Sequence, residues 1–255
     1  MNYERKVLFL TILASLALFV NAPLLCAGEQ APHWSYEGEE GPEHWGEIAD
    51  LYHMCSEGMN QSPVDITVDA HAGLPELVFD YHSSDIRELN NGHTIMQSVQ
   101  PGSYLTVTGR DVRYELKQFH FHSPSEHKID GRSYAMEMHF VHASEDGALG
   151  VVGVMIEEGD EHPVLNQLWT WMPENPGETS EQPIGIEETD LLPPTREYFA
   201  YSGSLTTPPC SEGVAWIVLK NPIEASAEQI ARFKERVGPA TNRPVQPRNA
   251  RLIVD

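Results

Sequence analysis

The chain has 255 residues, of which 38 are Asp or Glu and 16 are Lys or Arg, so its formal net charge is −22. Hydrophobic residues make up 40% of the chain and charged residues 21%, a composition typical of a folded globular protein, which excludes wholesale disorder. The acidic charge also argues against a nucleic-acid partner, because phosphate backbones attract basic surfaces.

The first 27 residues predict a secretory signal peptide. Arg5 and Lys6 precede the apolar run VLFLTILASLALFV, and Ala27 offers a small residue for cleavage. Two alternatives stay open: a membrane anchor, for which the run is shorter than the ~20 residues of a span, and a lipid anchor at Cys26. No second long apolar run follows, so we expect residues 28–255 to form a mature domain without a membrane span, periplasmic or secreted.

Segments rich in β-branched and aromatic residues predict strands, and Gly, Pro and Asp mark the turns between them. The connections are short, which favours antiparallel neighbours. Residues 151–156 are nearly all apolar and indicate a central strand that is buried on both faces. The predicted strands are residues 77–80, 103–108, 112–122, 134–142, 148–156 and 214–219.

Helices are predicted at two places. Residues 163–172 begin with Pro163, which suits a first helical turn, and residues 226–237 begin with Ser226 and Gln229 at the spacing of a capping box. Residues 174–194 are polar and proline-rich and predict a long surface loop. The sequence therefore predicts a single, mostly β (α+β) domain, in which a large twisted, mainly antiparallel sheet carries short peripheral helices.

The histidine pattern is the first chemical signal among the 12 histidines of the chain. His120 and His122 alternate with Phe119 and Phe121, so in a strand both imidazoles face one side and both phenyl rings face the other. His139, on the next predicted strand, would complete a set of three nitrogens, which suits Zn²⁺ and leaves a fourth position for water. Taken alone, an H-x-H pair is equally compatible with two core histidines.

Polar partners accompany two of these histidines. Gln118 precedes His120 by two residues and Glu137 precedes His139 by two, so each shares a face with the ring it would orient. A buried Gln or Glu without such a partner would be costly. The other histidines are predicted to have surface or simple hydrogen-bonding roles (His44, His53, His71, His82, His162) or structural ones (His127, His142).

Together these motifs resemble an exported, bacterial-type α-class carbonic anhydrase. The resemblance rests on QFHFH at 118–122, PSEH at 124–127 and EMHFVH at 137–142. Further motifs follow the family's order from residue 33 to about 247: HWSY at 33–36, QSP at 61–63, NNGH at 90–93, SGSLTTPP at 202–209, Trp216, and RPVQ at 243–246.

The resemblance implies zinc-dependent, reversible hydration of CO₂ to bicarbonate and a proton. Attack by zinc-bound hydroxide would be followed by histidine-mediated proton transfer to buffer. It implies that Thr206 accepts a hydrogen bond from the hydroxide, that Glu126 receives the Thr206 proton, and that His93 is the proton shuttle. One Zn²⁺ per chain would be bound by His120, His122 and His139.

The resemblance also assigns the lining of the active-site cleft. Met96 departs from the pattern, since relatives usually carry Asn or Gln there, which affects the expected water network rather than the zinc chemistry. The polar lining and water chain would comprise Tyr36, Asn91, Gln118 and Thr207, and the apolar wall where CO₂ rests would comprise Val141, Val151, Leu205 and Trp216.

Two cysteines, Cys55 and Cys210, remain after signal cleavage. An even pair in an exported chain predicts a disulfide, and the resemblance implies the same pairing; two buried free thiols are the alternative. Other functions considered are a non-catalytic binding module of the same fold, a zinc esterase and metal storage. A module of that kind would lack a zinc histidine, whereas all three are present. A homodimer is common among exported bacterial relatives, but the sequence shows no interface.

Overall fold

One 11-stranded sheet dominates the computed structural model, which describes residues 32–110 and 112–255. The predicted signal segment, with the lipid alternative at Cys26, lies outside the described residues. Residues Pro32–Asp255 form one compact unit. None of the described helices is long and apolar enough to cross a membrane.

The secondary-structure elements have the following bounds. The strands are β1 (Asp65–Ile66), β2 (Leu77–Asp80), β3 (Ser84–Asn90), β4 (Ile95–Ser98), β5 (Tyr104–Val107), β6 (Arg113–His122), β7 (Lys128–Ile129), β8 (Met136–Ser144), β9 (Leu149–Glu158), β10 (Thr179–Ile186), β11 (Tyr198–Ser204), β12 (Glu212–Leu219) and β13 (Ile223–Ala225). The helices are α1 (Trp45–Ile48), α2 (Met54–Glu57), α3 (Pro163–Thr170) and α4 (Ala227–Val237), with 3₁₀ turns at Gly38–Glu40, Asp50–Tyr52 and Glu188–Leu191.

The sheet order is β10-β3-β4-β6-β8-β9-β12-β11, with β5 joining β6 to β2 and with β13 beside β9. The pairs β9–β12 and β9–β13 are parallel, and the other pairs of this sheet are antiparallel. β1 and β7 form a separate parallel pair. The central strands β6, β8 and β9 therefore have neighbours on both sides, which fixes their backbones.

The predicted fold class and elements are confirmed. Each predicted strand segment contains a strand, and the residues of β9 from 150 to 156 are all buried, as expected for a central strand. Helix α3 begins at Pro163. Helix α4 begins after Ser226, whose side chain accepts from the Gln229 amide while the Gln229 side chain accepts from the Ser226 amide, so the capping box is present.

The prediction of a long surface loop at 174–194 is wrong. This segment contains the edge strand β10 and a 3₁₀ turn, Glu188–Leu191, in which Glu188 and Leu191 are buried. β10 is polar because it pairs only with β3 and faces solvent. Pro183 is tolerated since it lies where the register shifts between Gln182 and Gly185. The other elements that were not predicted are strands β1, β3, β4, β7, β11 and β13 and the short helices α1 and α2.

Apolar residues cover both faces of the sheet. The larger cluster includes Phe119, Phe121 and Phe140, packed with residues of α3 and α4. The smaller cluster on the other face includes Val151 and Trp216. The alternation predicted for residues 118–122 therefore places the phenyl rings in the larger core and leaves the histidines on the opposite face.

Candidate metal centre

Three histidines of β6 and β8 meet on one face of the sheet. His120 lies directly opposite His139 in the antiparallel register, and His122 is two residues further along β6. One ligand nitrogen from each ring lies within 4.8 Å of the others. Among the described residues, no fourth Cys, Asp, Glu or His belongs to this group.

Hydrogen bonds to neighbouring side chains orient two of the rings. Nδ1 of His120 lies 2.8 Å from Oε1 of Gln118, and Nε2 of His139 lies 2.9 Å from Oε1 of Glu137. Because these acceptors are oxygens, each ring donates its N–H to them. The lone pairs on Nε2 of His120 and Nδ1 of His139 therefore face the centre, as the predicted partnership of Gln118 and Glu137 requires.

The third ring is oriented by the backbone. Nδ1 of His122 donates to the carbonyl oxygen of Thr241 over 2.6 Å. Its Nε2 is buried and has no hydrogen-bond partner among the described residues. An unpartnered buried nitrogen is costly, and a cation at the centre would satisfy it. The sequence did not identify Thr241, because a carbonyl group belongs to every residue type.

The three imidazoles are held neutral. Burial lowers the pKa of His122 to about 4, and burial together with the neighbouring rings puts the pKa of His120 well below its usual value. Burial also lowers the pKa of His139, although Glu137 acts against this. Neutral imidazole nitrogens are the form that binds metal, and a set of three suits Zn²⁺.

Glu137 is the centre of a buried network behind the site. Its Oε1 accepts from His139 and from Nδ1 of His127 at 2.8 Å, and its Oε2 accepts from the backbone amides of Glu126 and His127. Burial acts to raise the pKa of Glu137, but the histidines and their hydrogen bonds outweigh it and hold the pKa well below its usual range. Nε2 of His127 in turn contacts the Tyr201 hydroxyl at 2.6 Å. His127 is thus a structural histidine that holds Glu137, the carboxylate that orients His139.

Glu126 is a second buried carboxyl beside the histidines. Its Oε1 accepts from the backbone amide of Arg243 at 2.8 Å, and its Oε2 lies 3.5 Å from Nε2 of His122. Burial raises the pKa of Glu126 to about 7, against the lowering effects of His139 and of hydrogen bonds from Arg243 and the Thr206 hydroxyl. Thr206 has a single hydroxyl proton. If its hydroxyl donates that proton in a hydrogen bond to Glu126, the Thr206 oxygen can only accept a hydrogen bond from any other group.

An apolar wall lies next to His139. Val141 faces Val151 across β8 and β9, and Val151 faces Trp216 across β9 and β12, so the three form a row on one face. The Trp216 ring lies 4.9 Å from the His139 ring. Leu205 packs against the same cluster, and Thr207 is half-buried beside it in sequence.

His93 lies on the turn that follows β3. Its ring stacks on Trp34, with ring centroids 3.7 Å apart and planes 8° apart, and has no ring contact with the three centre histidines within the described part of the chain. Gly92 adopts a φ of 85°, a conformation that glycine reaches without strain, and Oδ1 of Asn91 accepts from the His93 amide. Burial and the nearby His33 lower the pKa of His93.

Tyr36 and Met96 are the other predicted lining residues. The Tyr36 hydroxyl is buried without a hydrogen-bond partner among the described residues, and burial raises its pKa well above the usual value. The Tyr36 ring lies 6.4 Å from that of His93. Met96 is half-buried on β4, directly opposite His120, so its thioether replaces a polar group beside that ring.

Cys55 and Cys210 form a disulfide, which excludes the alternative of two free thiols. Cys210 also donates its amide to the carbonyl of Thr207, so the bridge is tied to the loop that carries Thr206 and Thr207. Of the remaining histidines, His142 is buried on the far face against Tyr81, and His162 is half-buried. Four are exposed as predicted, namely His44, His53, His71 and His82, and His33 is exposed as well.

Comparison with known proteins gives consistent matches. A family model described as eukaryotic-type carbonic anhydrase matches residues 40–255. A protein named carbonic anhydrase from Klebsiella pneumoniae is 46% identical over 225 residues, covering 88% of this chain and 92% of the relative.

Solved structures are similar over the same region. The alpha-carbonic anhydrase of Thermovibrio ammonificans, in complex with the inhibitor sulfanilamide, is 46% identical with a TM-score of 0.85, covering 89% of this chain and 100% of that one. A hyperthermostable carbonic anhydrase from an active hydrothermal vent chimney is 52% identical with a TM-score of 0.83, covering 87% of this chain and 99% of that one.

Proposed function

This chain belongs to the α-class carbonic anhydrases, which are carbonate dehydratases, and from that premise we propose that it hydrates CO₂ reversibly with one Zn²⁺ per chain held by His120, His122 and His139. The observation that carries the proposal is the set of three imidazoles whose free nitrogens lie within 4.8 Å of one another. When bound, Zn²⁺ supplies a hydroxide nucleophile at neutral pH by lowering the pKa of a water molecule to about 7, a value established for carbonic anhydrase.

Thr206 and Glu126 select the orientation of the nucleophile. The Thr206 hydroxyl donates its only proton to Glu126 in a hydrogen bond, so toward the nucleophile the Thr206 oxygen can act only as an acceptor. The Thr206 oxygen would therefore accept from a hydroxide at the centre, which would keep a lone pair free for attack on CO₂. Because Glu126 is buried and fixed by the Arg243 amide, this direction is set before substrate arrives.

The row Val141, Val151 and Trp216, together with Leu205, provides the surface for CO₂. CO₂ is uncharged and apolar, and these side chains offer it no competing hydrogen bond. The row lies next to His139, so a molecule resting on it is close to the reacting centre.

His93 carries the proton from the cleft to solvent. Its imidazole is half-buried on a turn, and its lowered pKa leaves it neutral and able to accept a proton at neutral pH. The residues between it and the centre would pass the proton through water. Tyr36, Asn91, Gln118 and Thr207 are the polar groups assigned to that path.

The proposal is tested by stopped-flow CO₂ hydration on metal-loaded and chelated protein, with zinc measured by mass spectrometry. We expect about one zinc per chain and loss of activity on chelation. His139→Ala should reduce the rate by about 100-fold or more, because it removes a ligand. His82→Ala, which changes an exposed histidine, is the matched control. A near wild-type rate in His139→Ala would contradict the assignment.

We also propose that the mature domain, residues 28–255, works in the periplasm or outside the cell. The buried Cys55–Cys210 disulfide supports this, because such bridges persist in oxidising compartments, and the N-terminal pattern is that of a signal peptide. Sequencing the N-terminus of protein recovered from cell fractions tests it. Retention of the first 27 residues in a cytoplasmic fraction would contradict it.

A further inference from the structure

Arg243 is a buried cation whose side chain contacts only uncharged groups. Its guanidinium donates to Oε1 of Gln61 at 2.8 Å, to the carbonyl of Ser62 at 2.9 Å and to the carbonyl of Cys55 at 2.8 Å. The residue is 1% exposed, and the hydrogen-bond partners of its guanidinium among the described residues are an amide oxygen and two carbonyl oxygens, with no carboxylate. Burying a cation without an ion pair is costly, and these three hydrogen bonds offset part of that cost while fixing the orientation of the side chain. Its backbone amide, on the same residue, holds Glu126.

Gln61 connects Arg243 to the other half of the catalytic pair. Its Oε1 accepts from the guanidinium, and its Nε2 donates to the carbonyl of Cys210 at 3.0 Å. The Cys210 amide donates to the Thr207 carbonyl, which immediately follows Thr206. A ring of hydrogen bonds and backbone therefore runs from Glu126 through Arg243 and Gln61 to the 206–210 loop, and it is closed by the Thr206 hydroxyl, whose hydrogen bond lowers the pKa of Glu126.

We infer that Gln61 and Arg243 are positioning residues, which hold Thr206 and Glu126 in the geometry that selects the nucleophile. Glu126 and Thr206 both lie outside helices and strands, and apart from the Glu126 amide, which donates to Glu137, this ring is what ties the two side chains to each other. Through the ring, Arg243 and Gln61 fix the segment of Glu126 and the loop of Thr206 relative to each other, because the planar guanidinium and the Gln61 amide allow only a narrow range of hydrogen-bond directions. The inference rests on the proposed function, because it gives these residues a role in that reaction.

A double-mutant cycle tests the inference. Arg243→Lys keeps the charge but loses the fork geometry, and Gln61→Met removes both arms of the amide. Each should lower kcat/KM for CO₂ hydration by about 10- to 100-fold. In a Thr206→Ala background, the same changes should cost about twofold or less, because the group they position is gone. An equal loss in both backgrounds would overturn the inference.

Arg251→Lys is the matched control. Arg251 also donates to backbone carbonyls, those of Pro247 and Arg248, but it contacts neither Gln61 nor Glu126. It should leave kcat/KM unchanged in both backgrounds. If Arg251→Lys lost as much kcat/KM as Arg243→Lys, Arg243 would only anchor the C-terminal segment in a general way, and the inference would be overturned.

Amide hydrogen exchange gives a readout that does not depend on activity. In Gln61→Met, the amides of Arg243 and Cys210 should exchange about 10-fold faster, while the amides of β8 and β9 stay protected. No change at these two amides, or the same acceleration throughout the sheet, would contradict a positioning role. Absent CO₂ hydration by the zinc-loaded wild type would instead refute the proposed function, while the exchange data still report on the ring.

Discussion

Three buried carboxyl groups behave differently because their partners differ. Glu137 accepts from side chains and backbone amides on both oxygens, and its pKa is held well below the usual range against the effect of burial. Glu126 has fewer donors, and burial raises its pKa to about 7. Neither oxygen of Glu88 has a hydrogen-bond partner among the described residues, and burial raises its pKa to about 8.

Glu88 makes the fold less stable as the pH rises. Its pKa is 4.5 in the unfolded chain and about 8 in the fold, so the folded state retains a proton that the unfolded state loses between these values. The stabilisation is complete below pH 4.5 and is lost as the pH rises through 8, at about 1.4 kcal/mol per pH unit. Between pH 5 and pH 8, Glu88→Gln should remove about 4 kcal/mol of this pH dependence, measured by urea unfolding.

Glu181→Gln, on the exposed edge strand β10, is the control for Glu88→Gln and should keep the wild-type slope. If the stability of Glu88→Gln falls with pH as steeply as that of the wild type, Glu88 is not the group responsible.

His93 is the residue whose removal should make turnover depend on the buffer. His93→Ala should lower kcat by about 10-fold or more in weak buffer, because proton transfer to solvent loses its carrier, while kcat/KM changes little. Added imidazole should restore part of the rate, as followed by stopped-flow. Equal rates in weak and strong buffer would argue against the shuttle role.

At the level of elements, a β-bulge in β6 changes which face of the sheet its side chains occupy. Leu116 pairs with His142 and Gln118 with Val141, so Lys117 is extra in the register. A strict period of two would put Leu116 on the face of His120. The bulge instead lets Leu116 join the core of Phe119, while Gln118 starts the histidine face.

In β9, Gly153 lies opposite His139 and leaves room for its partner. A Cβ at this position would meet Oε1 of Glu137 at 3.0 Å. Gly153→Ala should therefore displace the carboxylate that orients His139 and weaken zinc binding by about 10- to 100-fold. Competition with a chelator of known affinity measures this effect.

Gly150→Ala, on the same strand, is the matched control for Gly153→Ala, since its Cβ would meet the ring edge of Tyr114 and no site residue. Unchanged zinc affinity in Gly153→Ala would show that Glu137 can adjust without releasing His139.

At the scale of the whole molecule, one covalent link joins distant parts of the chain. The disulfide connects residues 155 apart in sequence, and it brings α2 next to the loop that carries Thr206. The net charge of −22 does not conflict with an anionic product, because exposed charges beyond about 8 Å are screened at physiological salt. The acidic surface instead favours solubility.

Removing this link should destabilise the fold as a whole. The double variant Cys55→Ser, Cys210→Ser should lose about 5 kcal/mol of unfolding free energy in guanidinium, because its unfolded chain is no longer restricted by a long closed loop. A reducing agent should lower the stability of the wild type to that of the variant and leave the variant unchanged. Wild-type stability that is insensitive to reduction would contradict this.

The sequence determined what depends on local periodicity. The alternation of residues 118–122 placed His120 and His122 on one face and the phenyl rings in the core, and Ser226 with Gln229 marked the start of α4. The offsets of Gln118 and Glu137 identified the ring partners of His120 and His139. These features are predictable because a strand repeats every two residues and because helix ends need specific side-chain acceptors.

Only the tertiary structure decided which distant groups meet. The Thr241 carbonyl that orients His122 is 119 residues away from it, and the Arg243 amide that holds Glu126 is 117 away. Backbone groups are the same in every residue, so no sequence pattern marks them. The polar edge strand β10 and the bulge at Lys117 could not be predicted from the sequence for a related reason. Both depend on the register of neighbouring strands, which is fixed only when the whole sheet assembles.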